Sequence, residues 1–220
     1  MPREDTIRTR KGLLKAACEI FAEKGYGNTT IAEISKQAGT NIAAVNYHFG
    51  SKEALYIEAW RHAFQESLRA HPLDGGVSDD APTEEQFKGH VRATLHRMAD
   101  KKNREFWFVQ RELANPTGLL EEVMEKEIRP IHKKMEELIR ELLGPVGSDQ
   151  DVLFCEASII NQCVNPMVVE ETSRGKNATR IGPPKIKDIE AYVDHVVKFS
   201  LAGIRAIREN VESKALIQQG

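Results

Sequence analysis

Apolar residues recur along this chain at intervals of three and four, the period of a helix that buries one face. Leu13, Leu14, Ala17, Ile20 and Phe21 form the first such stripe, and Gly25 follows it where a C-terminal glycine would end a helix. Thr30-Ile31-Ala32-Glu33 has the spacing of a capping box, which predicts a second helix that buries Ile34 and Ala38 and ends at Gly39. Asn41 can cap a third, very short helix whose inward residues are Val45 and Phe49. Gly50-Ser51 breaks the chain again, and Ser51 caps a longer helix through Leu55, Ala59 and Phe64.

Residues 71–83, HPLDGGVSDDAPT, read as a loop rich in Gly, Pro and Asp. Helical patterns resume at 84–100 and 104–114, and Thr117 is placed to cap a further helix with Glu121 and Glu122 near its positive end. Pro130 should kink or split that helix, and Gly144-Pro145-Val146-Gly147 should end it. From 151 to 169 the pattern is apolar on most of its circumference (Val152, Leu153, Phe154, Ile159, Ile160, Val164, Met167, Val168), so this helix must be covered on several sides. Asn161 and Gln162 lie inside it and need a hydrogen-bond partner, whether ligand, second subunit or buried water. Residues 170–185 read as a second loop. The last helix carries Ile186, Ile189, Val193, Val196, Val197, Ile204 and Ile207 on one broad stripe. No alternating strand pattern of any length occurs, so the expected fold class is all-α.

Hydrophobic residues at 40% and charged residues at 29% are those of an ordinary soluble globular protein. Cys18, Cys155 and Cys163 form an odd set with no CxxC pair, which argues against a disulfide framework or structural zinc and fits a reducing cytoplasm. No metal or cofactor is expected. The opening MPREDTIRTRKGLL has charges but no uninterrupted apolar core, so no signal peptide is expected, and no apolar run is long enough for a membrane span. The net charge of −2 is unevenly distributed. Residues 1–55 hold eight Lys/Arg against six acids, a balance of +2, and the remainder holds 23 against 27, a balance of −4. The mildly basic end can face phosphate.

A capped helix, a glycine turn and a short second helix make a helix-turn-helix, whose second helix enters the major groove of DNA. The run TTIAEISKQAGTNIAAVNYHFGSKEALY, with AACEIFAEKGYGNTT before it, resembles the DNA-binding signature of the TetR family of bacterial regulators. Further along, RELANPTGLLEEV and IINQCV are similar to the CecR-like subgroup. The resemblance implies a DNA-binding domain at residues 1–51 and a helical ligand-binding and dimerisation domain at 52–220. It also implies a homodimer that represses transcription from a palindromic operator on double-stranded DNA and is released by a small-molecule effector.

Carried over residue by residue, Ile42, Ala43, Ala44, Asn46, Tyr47 and His48 are the exposed positions of the third helix. The small or apolar side chains at 42–44 would touch thymine methyls, and Asn46 can pair its amide with adenine, unless it is only a solvated polar residue. Tyr47, His48, Lys52 and Thr30 match family positions that hold phosphates. Asn46 departs from the usual Tyr and Ala44 from the usual Gly or Thr, which bears on the operator sequence. In the regulatory half Phe106, Phe108, Arg111, Phe154 and Gln162 are candidate effector contacts, apolar walls with a few orienting polar groups. Arg111 and Glu112 would otherwise be a salt bridge within the core. Enzymatic readings lack a motif: HExxH, GxSxG and a glycine-rich phosphate loop are absent from the sequence. A scaffold that binds DNA constitutively is the alternative of a different class.

Overall fold

The computed structural model describes residues 2–172 and 186–218. Every regular element among the described residues is an α-helix: α1 (Pro2–Lys24), α2 (Ile31–Gln37), α3 (Ile42–Phe49), α4 (Lys52–Ala70), α5 (Thr83–Ala99), α6 (Arg104–Ala114), α7 (Glu121–Leu143), α8 (Asp149–Thr172) and α9 (Ile189–Gln218). The chain folds as two compact units. Met1–Ala70 with Lys101–Glu127 makes the first, and His71–Asp100 with Ile128–Gly220 makes the second. The first unit thus extends beyond residue 51, because α4 and α6 both pack on α1.

The core of the first unit is set by the stripe read from the sequence. Leu13, Ala17 and Phe21 of α1 meet Ile34 of α2, Val45 of α3, and Leu55, Tyr56 and Trp60 of α4, all buried. Phe106 and Phe108 of α6 close it from another part of the chain. Fully burying one such aromatic stabilises the unit by about 1.5–3 kcal/mol relative to leaving it in water. In the second unit Phe87, Val91 and Leu95 of α5, Met135, Ile139 and Leu143 of α7, Val152 and Ile159 of α8, and Val193, Val196 and Ile204 of α9 form one continuous cluster.

Several local expectations are revised. Pro130 does not split α7, which runs unbroken from Glu121 to Leu143. Its downstream half is anchored by buried Met135, Leu138 and Ile139, while Pro130 and Lys126 are exposed, so water can meet the carbonyl that the proline leaves without a donor. Thr117 does not cap α7; its amide and hydroxyl both turn back to Glu112. The last helix begins at Ile189 rather than Ile186, where the Asp188 carboxylate accepts from the amide of Ala191 at 3.0 Å. α8 reaches Thr172, and the rest of the loop expected at 170–185 lies outside the described residues. Within α8, Leu153 and Phe154 remain 59% and 56% exposed, so this helix is not covered all round by its own chain. Asn161 and Gln162 find their partners in the helix itself, donating to the carbonyls of Ala157 and Ser158 at 2.8 and 3.3 Å.

Candidate nucleic-acid interface

The start of α2 is fixed by a reciprocal cap. The Glu33 amide donates to the Thr30 hydroxyl at 3.2 Å, and the Thr30 amide donates to the Glu33 carboxylate at 2.9 Å. Lys24 from the end of α1 donates to the same carboxylate at 2.9 Å. With Lys24 as the main cause and the Thr30 amide second, the Glu33 carboxyl is held down to about 2. The Thr30 hydroxyl is itself occupied, donating to Glu33 at 3.0 Å. Gly39, at φ 67°, reverses the chain in a conformation that a side chain rarely adopts. Asn41 then accepts the Ala44 amide at 2.9 Å and starts α3.

The eight residues of α3 divide cleanly. Val45 and Phe49 point into the core at 0% and 8% exposure, whereas Ile42 and Tyr47 stand out at 52% and 78%. Ala43 and Asn46 share that outer face, and Ala44 and His48 flank it half-buried. The Tyr47 and His48 rings meet edge to face at 4.9 Å. The candidate base-reading side chains are therefore gathered on one face, and His48 lies at its margin.

The helix is held rigidly from behind. Arg10 of α1 stacks over the Phe49 ring at 4.9 Å and pairs with Glu58 of α4. Gly50, at φ 79°, ends α3, and the Ser51 hydroxyl accepts the Ala54 amide at 3.1 Å to start α4. Lys52 is less free than the sequence suggests. Its ammonium donates to the Tyr26 carbonyl at 2.8 Å and lies 4.1 Å from the centre of that ring, leaving its other protons for a phosphate. Tyr26 in turn donates to Glu53 at 2.6 Å, which helps hold that carboxyl at about 2. Arg10 carried no motif signal in the sequence, and Tyr26 lies in the run that carries the resemblance but showed nothing there of its role, since the partners of both residues lie 26 or more positions away.

The five candidate effector residues are not brought together within either unit. Phe106, Phe108 and Arg111 belong to the first unit, Phe154 and Gln162 to the second. Phe106 and Phe108 are buried, and Phe108 sits 6.3 Å from the Phe21 ring and 5.5 Å from Tyr56. Arg111 is exposed and donates to the Glu23 carbonyl at 2.6 Å, satisfying an end carbonyl of α1. The Glu112 carboxylate is bound by Tyr56 and Thr117. Phe154 and Gln162 line a groove of about 180 Å³ between α8 and α9, with Ser158, Phe199, Gly203 and Ile207. Burial pushes Cys18 and Cys163 up to about 12 and raises Cys155, so these thiols carry little thiolate at neutral pH. Among the described residues no group of three His, Cys, Asp or Glu is placed to hold a metal, and no helix is long and apolar enough to cross a membrane.

Comparison with known proteins places this geometry. Residues 13–59 match the profile of the bacterial regulatory proteins of the tetR family, and residues 83–204 match the C-terminal domain of the HTH-type transcriptional dual regulator CecR. The CecR dual regulator of Shigella flexneri is 29% identical over 175 residues, covering 75% of this chain and 78% of that protein. In fold the chain is similar to a TetR-like transcriptional regulator from Rhodococcus sp. RHA1, at TM-score 0.66 and 16% identity, with 90% of this chain and 96% of that one covered. It is also similar to the fatty acid degradation regulator FadR of Bacillus halodurans, at TM-score 0.63 and 19% identity, with 90% and 96% covered. With its all-helical fold and helix-turn-helix, the chain belongs to the TetR family of DNA-binding transcriptional regulators, among those that carry the CecR C-terminal domain.

Proposed function

We propose that this regulator binds a palindromic operator on double-stranded DNA as a homodimer, represses transcription in the cytoplasm, and is released by a small-molecule effector. The observation that carries the reading is the outer face of α3. Tyr47 and Ile42 stand 78% and 52% exposed on a helix whose opposite face is buried and whose termini are both capped. Large apolar and aromatic groups held in water on so rigid a support call for a partner surface, and the groove floor and phosphates of DNA supply one. Ile42, Ala43 and Ala44 meet thymine methyls, Asn46 reads an adenine edge, and Tyr47, His48, Lys52 and Thr30 hold phosphates. In this assignment residues 1–51 read the DNA, while 52–220 dimerise and respond to the effector.

One α3 alone offers few base contacts, which favours two related half-sites. Leu153 and Phe199 provide exposed apolar side chains on α8 and α9 for the second copy. The effector contacts in this reading are those of the sequence analysis, Phe106, Phe108, Arg111, Phe154 and Gln162. An effector can release the operator only by binding the two states unequally, typically with a coupling of about 1–3 kcal/mol. The Shigella relative is named a dual regulator, which favours activation at some promoters as a second reading.

Selection from a random duplex library tests the proposal. It should yield a palindrome whose half-site centres lie about 34–36 Å apart or a multiple of that distance. Tyr47→Ala/Lys52→Ala should weaken binding to every sequence, whereas Asn46→Ala should relax preference at one base pair by about 1–3 kcal/mol. Parental affinity in the double variant would overturn the interface.

A further inference from the structure

We infer that Glu112 is a positioning residue for operator recognition: its buried carboxylate holds Tyr56, and through α4 it fixes the attitude of the recognition helix α3. The residue lies in the segment RELANPTG, far along the chain from the helix-turn-helix and inside the region matched by the CecR C-terminal profile. Yet it belongs to the same compact unit as α3.

The chemistry of the site is specific. Glu112 is 9% exposed, a burial that a carboxylate tolerates only when donors replace the lost water. It has them from two separate stretches of chain. The Tyr56 hydroxyl of α4 donates to Oε2 at 3.0 Å. The amides of Thr117 and Gly118 donate to Oε1 at 2.8 and 3.1 Å, and the Thr117 hydroxyl donates to Oε1 at 2.8 Å. A leucine here would fill the space and tolerate sliding. A charge that converges donors from α4 and from the turn after α6 fixes direction as well as distance.

From Tyr56 the constraint reaches the DNA-facing helix in one step. The Tyr56 ring stands edge-on to Phe21 at 4.9 Å and lies 5.1 Å from Tyr26. Lys52 and Glu53, about one turn earlier on α4, are both bonded to Tyr26. Three side chains thereby pin the first turn of α4, and only Gly50 and Ser51 separate it from α3. Arg111, next to Glu112, ties α6 to the end of α1 through the Glu23 carbonyl. A change in the register of α6 would therefore shift the first turn of α4, and α3 with it.

The test separates positioning from mere stability. Tyr56→Phe keeps the buried ring and removes only the hydroxyl, so its melting temperature should stay within about 5 °C of the parent. Its affinity for the duplex that the parent protein selects from a random library should fall about tenfold, the scale of one lost hydrogen bond to a charged group. Binding to unrelated duplex, which rests on the sum of many phosphate contacts, should fall much less. Hydrogen exchange of the amides in 52–58 should quicken. Glu112→Gln, which still offers an acceptor oxygen, should retain more of the selectivity than Glu112→Ala, and should do so even if the alanine variant fails to fold. The inference is overturned if Tyr56→Phe discriminates the selected duplex as well as the parent does. It is equally overturned if selected and unrelated binding fall together with the folded fraction.

Discussion

His90 lies on α5 at 3% exposure, with Arg97, Lys134 and His132 as its charged neighbours. Burial, reinforced by those three groups, holds its pKa down to about 4 against an ordinary 6.5. The unfolded chain therefore binds a proton that the folded chain refuses between those two values. Stability from this group is complete above about pH 6.5 and is lost as the pH falls towards 4, by about 3 kcal/mol for a shift of this size. The carboxyls of Glu33 and Glu53, held at about 2, make their own losses below the ordinary carboxylate range, so the interval above it isolates the histidine. Urea unfolding across that interval should show a fall in stability with acid that His90→Gln largely removes. Equal pH dependence in the two proteins would mean that the native imidazole is not kept neutral. At this scale the sequence revealed what depends on near neighbours. The caps at Thr30, Asn41 and Ser51 and the inward pair Val45 and Phe49 of α3 follow from spacing alone, while the outward set on α3 came from the family resemblance. The partners of Glu112, Lys52 and Arg111 did not, because each lies at least 20 residues away or in a turn whose path depends on the packed core.

Elements were legible in kind and mostly in extent, since α1, α4, α5, α6 and α9 each show one apolar face at helical spacing. The inward and outward faces of α9 were harder to separate. Ile204, an obvious candidate for contact with a second copy, is 3% exposed and lies in its own unit's core. Phe199, less than two turns earlier, is 63% exposed and borders the groove opposite Phe154. An aromatic of this size buries about 150–250 Å² when fully covered. A charge at the two positions should therefore act differently. Phe199→Glu should leave the helical content and cooperative melting intact and convert the proposed dimer to monomer in sedimentation. Ile204→Glu should unfold or aggregate, because the charge enters a closed apolar cluster, with a cost of several kcal/mol. A dimeric, folded Phe199→Glu protein would move the contact to another face.

The chain visits its two units alternately: it leaves the first at Ala70, returns at Lys101 and leaves again at Glu127. A sequence motif cannot show this, because the helix-turn-helix is contiguous while the residues that complete its core lie about 50 positions downstream. The expected consequence is that the recognisable DNA-binding segment does not fold cooperatively by itself. Phe21 and Tyr56 are 0% and 1% exposed in the whole chain, and Phe108 at 0% covers both. Phe106, Leu120 and Val123 are buried in the same unit. Deleting one large buried aromatic side chain costs about 3–5 kcal/mol. Losing Phe106 and Phe108 together, with the acceptor of the Tyr56 hydroxyl, approaches the whole 5–15 kcal/mol or so that stabilises a typical domain. A fragment ending at Ala70 should accordingly keep some helix by circular dichroism but melt without a cooperative transition. A peptide spanning 101–127 added in trans should restore a transition whose midpoint rises with peptide concentration, because it binds only the folded form. A sharp, peptide-independent melt of the 1–70 fragment would show that α1 to α4 suffice and that α6 rests on an already complete core.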